Sequence, residues 1–569
     1  MALRSIIGLV AAFAVAGVGC GGDNSVQGPG GALPEGGEAS PLPDGGTQSD
    51  ASGTDATGPD AGGSPDSGGT QDGGRDSGPP TGKPLYVAQN AAGSSDGSSC
   101  ANAHPVTWFN DVKNWSAGMS QIGPGTVVHL CGTFTGTAGG TMLAPPGSGS
   151  SGQPVTIYFD PGALLTAPYW QHAIDLSNTH YVTVDGGSNG TIENTANGTA
   201  LANQKGSMAI SASNCSYCEM RNLTVQNLYV RTGNACEVDQ TLVNAIRFGG
   251  ADHVTIDNNV IHDVGWAILG SVNYETITGN DIYNIDHGIQ FGSESSTLSG
   301  IVVHDNHIHD FALWDSTPQT DCYHHDGIHG FGGTSSVVTD FAAYNNVFDG
   351  QTGANFNQQI FLEGINDGTP WTSSPNSLQF VYNNVFSTSA PSESIAGLGS
   401  IGGNGIFVNN TVIGSNPTYT SACVGFGNSS TLTPGATVEN NAVGGCGILV
   451  SSASPAGNFT VAAFDYNAYA NCQNYNCFFT DYNGVSIDVS DFATWQTKSG
   501  FDAHSFANTA SATYFNLDAK YQPQTGSPLV GAGTNLSSLC ATNSSLAALC
   551  KDKNGNPRPA TGAWNIGAF

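Results

Sequence analysis

Basic residues are scarce in this chain of 569 residues, where 13 Lys and Arg stand against 44 Asp and Glu and the formal net charge is −31. Nucleic acid is therefore an unfavourable partner, because its phosphates are bound chiefly through Lys and Arg. A polyanionic glycan is also repelled unless metal ions or a local basic patch intervene. The charge balance favours a neutral glycan, or an acidic glycan bridged by cations.

A membrane-spanning run is absent near the N-terminus, where the apolar residues 6–16 are too few to cross a bilayer. Arg4 precedes this run, and a Gly-Val-Gly segment precedes Cys20. Residues 1–20 therefore resemble a bacterial lipoprotein signal, in which the cysteine is lipidated and becomes the mature N-terminus. We expect an exported protein held at the outer membrane or cell surface only by lipidated Cys20, with secretion as the alternative.

Large apolar residues are almost missing from residues 21–83, which consist mainly of Gly, Ser, Asp, Pro, Thr and Ala. Such a segment cannot bury enough apolar surface to form a core. Its mutually repelling Asp side chains favour a disordered, extended tether that holds a domain away from a membrane surface. The remaining residues, 84–569, are predicted to form one folded domain.

The chain has 13 cysteines, and assigning Cys20 to the lipid leaves an even set, which in an exported protein predicts disulfide bonds. A zinc knuckle at the Cys215/Cys218 pair is disfavoured, since no second CxxC or spaced His pair completes a metal site. Other connectivities stay open, but proximity in sequence suggests the pairs Cys100/Cys131, Cys215/Cys218, Cys236/Cys322, Cys423/Cys446, Cys472/Cys477 and Cys540/Cys550.

An Asn-x-hydrophobic motif recurs at irregular intervals along this domain. It begins at Asn259, Asn280, Asn306, Asn346, Asn384, Asn410 and Asn441. The surrounding strands are short and bounded by Gly, Asn and Asp turns, and they bury an inner face only by stacking coil on coil, with the Asn side chains in a hydrogen-bonded ladder. A propeller would need a regular period, and an antiparallel sandwich would need hairpins. We therefore predict an all-β fold, a right-handed parallel β-helix with an N-terminal cap and irregular loop insertions.

Both ends of the domain resemble a known superfamily. Residues 85–88 (LYVA) and 124–130 (PGTVVHL), with a cap helix expected at residues 107–116, are similar to the opening of pectate-lyase-like β-helix proteins. The segments GSPLVGAG, DKNGNPRP and WNIGAF near the C-terminus resemble their closing segment. The resemblance implies the fold over nearly the whole domain. It leaves the reaction open, since the superfamily includes polysaccharide lyases, glycosidases, epimerases and non-catalytic surface proteins.

The alternation of side chains along a strand assigns two outward rows. If Asn259 and Ile261 point inward, then His262 points outward, and Tyr283 and His309 follow it in the next coils, about 4.8 Å apart. The neighbouring strands supply a second outward row: Arg247, Leu269, Gln290, His329 and Phe361. The chain is expected to turn between the two rows at Asp263, at Asp286-His287 and at Asp310.

An insertion at residues 311–325 ends in a run rich in His and Asp. Rigid folds place binding groups on such loops. The run and its surroundings supply the candidate catalytic residues Asp321, His325, Asp326, His329, Arg247 and Glu363. The candidate substrate-binding residues are Gln290, His309, Tyr283 and Trp314. The alternative is structural, because Asp and His in turns often satisfy backbone groups.

Hydrolysis of a glycoside needs two carboxylates, one a proton donor and the other a base or nucleophile. Asp326 paired with Asp321, Asp310 or Glu363 would supply them. The low number of Lys and Arg residues favours this reaction over elimination, for which lyases of the superfamily commonly use a basic side chain.

Elimination by a lyase needs a base for the proton alpha to a uronate carboxyl and a cation that neutralises this carboxyl. These roles are open to His329, His325 or Arg247. The resemblance implies calcium as the cation, and oxygen ligands for it are available at Asp310 and Asp315.

We therefore predict a monomeric, surface-anchored β-helix protein that acts on a polysaccharide as a lyase or glycoside hydrolase. The alternative is a non-catalytic, adhesin-like β-helix that binds glycan or serves as a structural rod. The concentration of ionisable side chains at one insertion favours the enzyme, because a rod should scatter such residues along its coils.

Overall fold

The computed structural model describes residues 80–116, 118, 120–196, 205–228, 243–293, 297–313, 325–332, 337–338, 340–353, 356–362, 378–388, 396–398, 405–418, 422–426, 436–453, 461–482 and 485–569. The chain divides into Met1–Gln71 and Asp72–Phe569, and every described residue belongs to the second unit. Cys20, with the predicted signal and most of the tether, lies outside the described residues. Within the described ranges, no helix has the length and apolar character needed to cross a bilayer.

A first sheet consists of short strands whose side chains alternate between the core and the surface. In Cys218–Arg221, for example, Cys218 and Met220 are buried while Glu219 and Arg221 are partly exposed. Each described strand pairs in parallel with the strand one coil later. The strands of this sheet are His104–Pro105, Lys83–Ala88, Thr126–Leu130, Val155–Phe159, Val182–Asp185, Cys218–Arg221, Asp252–Asp257, Asn273–Thr278, Ile301–His304, Asp340–Tyr344, Leu378–Tyr382, Ile406–Val408, Ala436–Glu439 and Val461–Asp465.

A second sheet carries two rows of strands, which are continuous with each other in Val260–Gly270 and Asp281–Ser293. The first row also contains Thr133–Thr135, Leu164–Ala167, Thr191–Asn194, Thr224–Gln226, His307–His309, Val347–Asp349, Val385–Ser387, Thr411–Asn416, Ala442–Cys446, Ala468–Ala470 and Phe506–Asn508. The second row also contains Gly140–Leu143, Trp170–Asp175, Ser207–Ser213, Val243–Gly249, His325–Gly332, Phe356–Leu362, Ala396–Leu398, Ala422–Phe426, Ile448–Ala453, Phe478–Tyr482 and the antiparallel Val485–Val489. A separate pair joins Thr297–Leu298 to Val337–Val338.

The core consists of side chains stacked in register from coil to coil. Ile246, Ile268, Ile289, Ile328 and Ile360 form one such column, and each is fully buried. Stacking of this kind removes from water the inner face that no single coil can cover alone. The predicted all-β fold, a parallel β-helix, is confirmed.

The predicted cap helix at residues 107–116 is shorter than expected. The chain forms a single turn of α-helix at Val106–Phe109 and a separate 3₁₀ helix at Val112–Asn114. The Asn110 side chain accepts a hydrogen bond from the N–H of Ala144, and Asp111 caps the second turn by accepting from the N–H of Lys113. These side-chain bonds end the first helix after one turn. The other helical segments among the described residues are Cys100–Asn102, Phe492–Ser499, Ser537–Cys540 and Ser544–Cys550.

The predicted asparagine ladder is present and continues to Asn467. Each Oδ1 accepts hydrogen bonds from the side chain and the backbone N–H of the Asn one coil earlier, at 2.9 and 3.0 Å between Asn259 and Asn280. The residue before each ladder Asn is left-handed, with φ between 54° at Asn258 and 65° at Gly279. Gly, Asn and Asp tolerate this conformation best. The doublet of a left-handed residue with an inward Asn therefore marks the coils from Asn259 to Asn467, and Tyr466 is the left-handed residue of the last one.

Replacement of Asn346 by alanine is expected to lower the free energy of unfolding by about 2 to 4 kcal/mol. Its Nδ2 donates to Asn384 Oδ1 at 3.0 Å and to the carbonyl of Val303 at 2.9 Å, and its Oδ1 accepts from Asn306. Each lost bond leaves a buried partner unsatisfied, at roughly 1 kcal/mol or more. Chemical denaturation measures the loss, and the exposed Asn554→Ala is the control. Equal stability of both variants would show that the ladder does not stabilise the fold.

The C-terminal segment is held by the left-handed Asn residues that precede the ladder. Nδ2 of Asn383 donates to the carbonyl of Lys551 at 2.8 Å, and Nδ2 of Asn440 donates to that of Thr534 at 2.9 Å. Buried Arg558 donates to Oδ1 of Asn383 at 2.9 Å. The Asn doublets thus serve two purposes, since one residue joins the coils and the other binds the closing segment.

Five of the six suggested disulfides are formed in the structure. They are Cys100–Cys131, Cys215–Cys218, Cys423–Cys446, Cys472–Cys477 and Cys540–Cys550. Cys236 and Cys322 lie outside the described residues, so their pairing stays a prediction.

Candidate active site

The strand register confirms both predicted outward rows. His262, Tyr283 and His309 are partners in successive coils, with ring centroids 4.7 and 5.1 Å apart. In the second row the partners run in the expected order: Arg247, Leu269, Gln290, His329 and Phe361.

The predicted turn at Asp286-His287 is wrong. Asn284 occupies the turn position, with φ of 49°, as Asp263 does at 54° and Asp310 at 46°. Asn tolerates this left-handed conformation as Asp does, so the sequence signal was two residues away from the expected position. Asp286 and His287 consequently lie at the start of the second row of strands.

Asp326 lies between two histidines. Its Oδ2 is 3.6 Å from Nε2 of His287, the register partner one coil earlier, and 3.5 Å from Nδ1 of His329. Its Oδ1 accepts a 3.3 Å hydrogen bond from the backbone N–H of Gln358. Gly327 follows Asp326 because a Cβ there would lie 2.4 Å from a backbone oxygen of the next coil.

A second carboxylate extends this arrangement. Oδ2 of Asp286 is 3.0 Å from Nδ1 of His287, and Oδ1 of Asp286 is 3.9 Å from Nε2 of His325. Nδ1 of His325 is 2.7 Å from the carbonyl oxygen of Thr352 and donates to it. We call the resulting alternation of imidazoles and carboxylates the His–Asp relay, which consists of His325, Asp286, His287, Asp326 and His329.

The relay is buried except at one end. The side chains of His325 and Asp326 are 0% exposed, whereas that of His329 is 11% exposed. The His329 ring stacks on Phe361 of the next coil at 4.9 Å, and its Nδ1 is 3.5 Å from Nε2 of Gln290. His329 is therefore the most exposed member of the relay.

The geometry suits proton transfer at an imidazole. A buried carboxylate beside Nδ1 fixes the ring orientation and stabilises the imidazolium that forms when Nε2 takes a proton. Hydrolysis by two carboxylates fits less well, because Asp286 and Asp326 are both buried and both contact histidines. Asp321 and Glu363, the other carboxylates expected here, lie outside the described residues.

Several predicted site residues lie away from the relay or outside the described residues. Arg247 is three coils before His329 in the same row, which corresponds to about 14 Å at the usual strand spacing. Tyr283 and His309 belong to the first row, across the turn. Trp314 and Asp315 fall outside the described residues.

The contacts of Asp310 do not suit the role of calcium ligand that the sequence suggested. Its Oδ2 is 2.8 Å from Nδ1 of His309, and its Oδ1 accepts a hydrogen bond from the N–H of Gln351 at 3.1 Å. Burial raises the pKa of Asp310, but the hydrogen bonds from His309 and Gln351 outweigh it and lower this pKa below its usual value. Both oxygens already have donors, so we derive no step through calcium.

Sequence reasoning missed Asp286 and His287 as functional residues. They could have been found by counting from the left-handed turn residue of each coil. Trp266 follows Asp263 by three positions, and His287 follows Asn284 by three. Aligning the coils on this residue would have paired His287 with Trp266, as the structure does.

No protein-family model matches this chain, and no curated protein matches it either. Among solved structures it is similar to an alginate lyase from Paenibacillus sp. str. FPU-7, at 16% identity and a TM-score of 0.33, over 66% of this chain and 99% of that one. A lacto-N-biosidase from Eubacterium ramulus aligns at 11% identity and a TM-score of 0.37, over 68% and 67%. The pectate lyase Pel9A aligns at 15% identity and a TM-score of 0.30, over 85% and 95%. Since each TM-score is below 0.5, the assignment of this chain as a parallel β-helix protein rests on its own strand pairing.

Proposed function

We propose that the protein cleaves an acidic polysaccharide by β-elimination, with His329 as the base. The observation that carries this proposal is the Asp326–His329 contact of 3.5 Å at the solvent-facing end of a buried relay. Nδ1 of His329 faces both Asp326 and the Gln290 amide, so Nε2 is the nitrogen that would take the substrate proton. It removes the proton alpha to the uronate carboxyl, the electron pair forms a C=C bond, and the glycosidic C–O bond breaks. The leaving oxygen is then protonated.

Two side chains in the same row support binding of a uronate chain along the coils. Gln290 lies one coil before His329 and presents an amide beside the imidazole, where it would donate to the substrate carboxylate. Arg247, two coils further back, would bind the carboxylate of a more distant sugar. Neither contact supplies a cation at the carboxyl of the reacting sugar, so the test below is run with and without calcium.

The test is incubation of the full chain with a panel of neutral and uronic polysaccharides, with and without calcium. Ultraviolet absorbance reports the unsaturated uronate that elimination leaves, and a reducing-end assay reports any cleavage. Both signals on a uronic substrate support the proposal. Reducing ends without absorbance would mean hydrolysis, and would direct attention to Asp321 and Glu363.

Non-catalytic glycan binding is the second candidate, and a groove of about 860 Å³ on the first sheet favours it. Tyr181, Tyr217, His253 and Tyr274 stack along this groove at 4.5 to 4.7 Å. Tyr217 and Tyr274 are 46% and 54% exposed, and aromatic rings with hydroxyls suit sugar surfaces. Glycan binding that is lost in Tyr274→Ala, unchanged in His329→Ala and accompanied by no cleavage would favour this role.

The protein is further proposed to be exported and anchored through lipidated Cys20. Replacing Cys20 with serine is expected to move most of the protein from the membrane fraction to the medium, because the proposed lipid is attached to this cysteine. Immunoblotting of both fractions measures the shift, and Cys215→Ser, which breaks the Cys215–Cys218 disulfide, is the control. An unchanged distribution for Cys20→Ser would exclude the lipid anchor.

A further inference from the structure

A second group of His and Asp side chains lies on the first row of strands, apart from the relay. Oδ1 of Asp281 is 3.1 Å from Nε2 of His309 and 3.3 Å from Nδ1 of His307. His307 and His309 are two residues apart on one strand, so they share a face, and Asp281 is the register partner of His307 one coil earlier. Three donor atoms thus converge from two rigid, neighbouring strands.

The spacing of these atoms matches a divalent metal site. Zinc binds His nitrogen at about 2.0–2.1 Å and carboxylate oxygen at about 2.0–2.2 Å, so tetrahedral ligand atoms lie roughly 3.3–3.5 Å from one another. All three donor atoms here are within 4.8 Å of each other, and two of the three separations are 3.1 and 3.3 Å. An ion would need only small side-chain adjustments to enter.

The other nitrogen of each imidazole contacts a further carboxylate. Nδ1 of His309 is 2.8 Å from Oδ2 of Asp310, and Nε2 of His307 is 2.9 Å from Oδ1 of Asp349. Metal-bound histidines almost always donate their second N–H to a carboxylate or carbonyl, which fixes the tautomer and orients the ring. In this cluster both histidines have that partner already, with the remaining nitrogen directed at Asp281.

An ordinary surface pair lacks this convergence. His304 with Asp305 and His504 with Asp465 each place a carboxylate against Nδ1 alone, at 2.7 and 2.6 Å. The side chains of Asp281 and His307 are 45% and 43% exposed, which leaves a coordination position open to solvent.

We propose that Asp281, His307 and His309 bind a divalent transition-metal ion, with zinc as the probe, and that Asp310 and Asp349 position the two imidazoles. Three protein ligands and an open position characterise zinc sites that take water or a substrate oxygen as the fourth ligand. A sugar hydroxyl or carboxylate of a bound glycan fits that position. The site is independent of the proposed elimination, which takes place on the other row of strands.

The experiment uses the full chain, stripped with a chelator and titrated with zinc by calorimetry. One equivalent of bound zinc is expected, with affinity at least about 100-fold weaker in His307→Ala and His309→Ala and about 10- to 100-fold weaker in Asp349→Asn. His504→Ala should bind as the wild type does. Binding of less than one equivalent by the wild type, or retention of full affinity in a His307→Ala/His309→Ala double variant, would overturn the proposal.

A second measurement starts from the wild-type chain. Cobalt added to the stripped wild-type chain should give visible absorption bands of a four- or five-coordinate ion with nitrogen ligands, which zinc then displaces. Absence of these bands would contradict the site. If His329→Ala rather than His307→Ala removed the bands, the metal would lie at the His–Asp relay and this assignment would be wrong.

Discussion

Replacing His329 with alanine is expected to lower the rate of polysaccharide cleavage by about 10²- to 10⁴-fold, the range typical of losing a general base. His329 is the solvent-reachable end of the relay, and no other described imidazole of the relay is more than 4% exposed to take its place. The ring also contacts Gln290, Phe331 and Phe361, so the thermal transition is recorded to show that the variant is folded. Initial rates on the best substrate of the panel measure the loss.

The matched control is His504→Ala. His504 also places Nδ1 beside a carboxylate, that of Asp465 at 2.6 Å, and also stacks on an aromatic ring, that of Tyr466 at 4.8 Å. It lies many coils away, so its removal should leave the rate unchanged. Wild-type rates in both variants would remove His329 from the mechanism. Equal losses of rate in both variants would point to a general effect of losing a stacked His–Asp pair.

The variant Asp326→Asn tests whether Asp326 acts on His329 during catalysis or only stabilises the fold. The amide keeps the size of the side chain and an oxygen for the N–H of Gln358, but it cannot stabilise a charged His329. We expect kcat to fall by a similar order of magnitude with little change in KM. A large drop in thermal stability with activity retained in the folded fraction would instead identify Asp326 as a structural residue that accepts the hydrogen bond of Gln358.

The fold could be predicted because its signals are local and repeated. From Asn259 to Asn441 a left-handed Asn, Asp or Gly precedes each inward Asn, and the alternation of the strand then fixes which side chains point outward. This is why the ladder and both outward rows, including the order Gln290, His329 and Phe361, agree with the structure. Repetition supplies many independent chances to find the same signal.

The site could be predicted only in part, because its contacts depend on which coils are adjacent. Asp286 and His325 come from coils 39 residues apart in sequence, and an insertion separates them, so nothing local indicates that they meet. His329, Asp326 and His325 were found through their density in one run. Asp286 and His287 were assigned to a turn, because Asp was expected at a position that Asn284 occupies.

The burial of Glu275 could have been predicted from its position on the strand alone. It has the same parity as Ile277 on Asn273–Thr278, so it points into the core, where it is fully buried beside Phe248 and Gly270. A Cβ on Gly270 would lie 2.4 Å from Oε2 of Glu275, so glycine provides the space for the carboxyl group. Burial raises the pKa of Glu275 to about 8, against the smaller opposing effect of the Val272 backbone.

This buried carboxyl is expected to make the fold less stable as the pH rises. Between the usual value of 4.5 and about 8, the folded chain holds a proton that the unfolded chain releases, so unfolding becomes more favourable with each pH unit. The stabilisation is complete below pH 4.5 and is lost as the pH rises through 8. Each unit corresponds to roughly 1.4 kcal/mol, and the full loss is on the order of 4 to 5 kcal/mol.

Glu275→Gln removes this titration and should make the chain more stable than the wild type above pH 8 by several kcal/mol, on the order estimated above. Below pH 4.5 the two should be nearly equal, because a protonated Glu and a Gln are both neutral. A shallower decline should persist in the variant, since burial raises the pKa of Asp502 to about 6 and that of Glu439 to about 7, and hydrogen bonds to Asp281 and Asp349 outweigh burial and raise the pKa of His307 to about 9. Urea midpoints measured from pH 4 to 9 test this, with the partly exposed Glu219→Gln as control. Parallel pH profiles for wild type and Glu275→Gln would show that Glu275 does not titrate in this range.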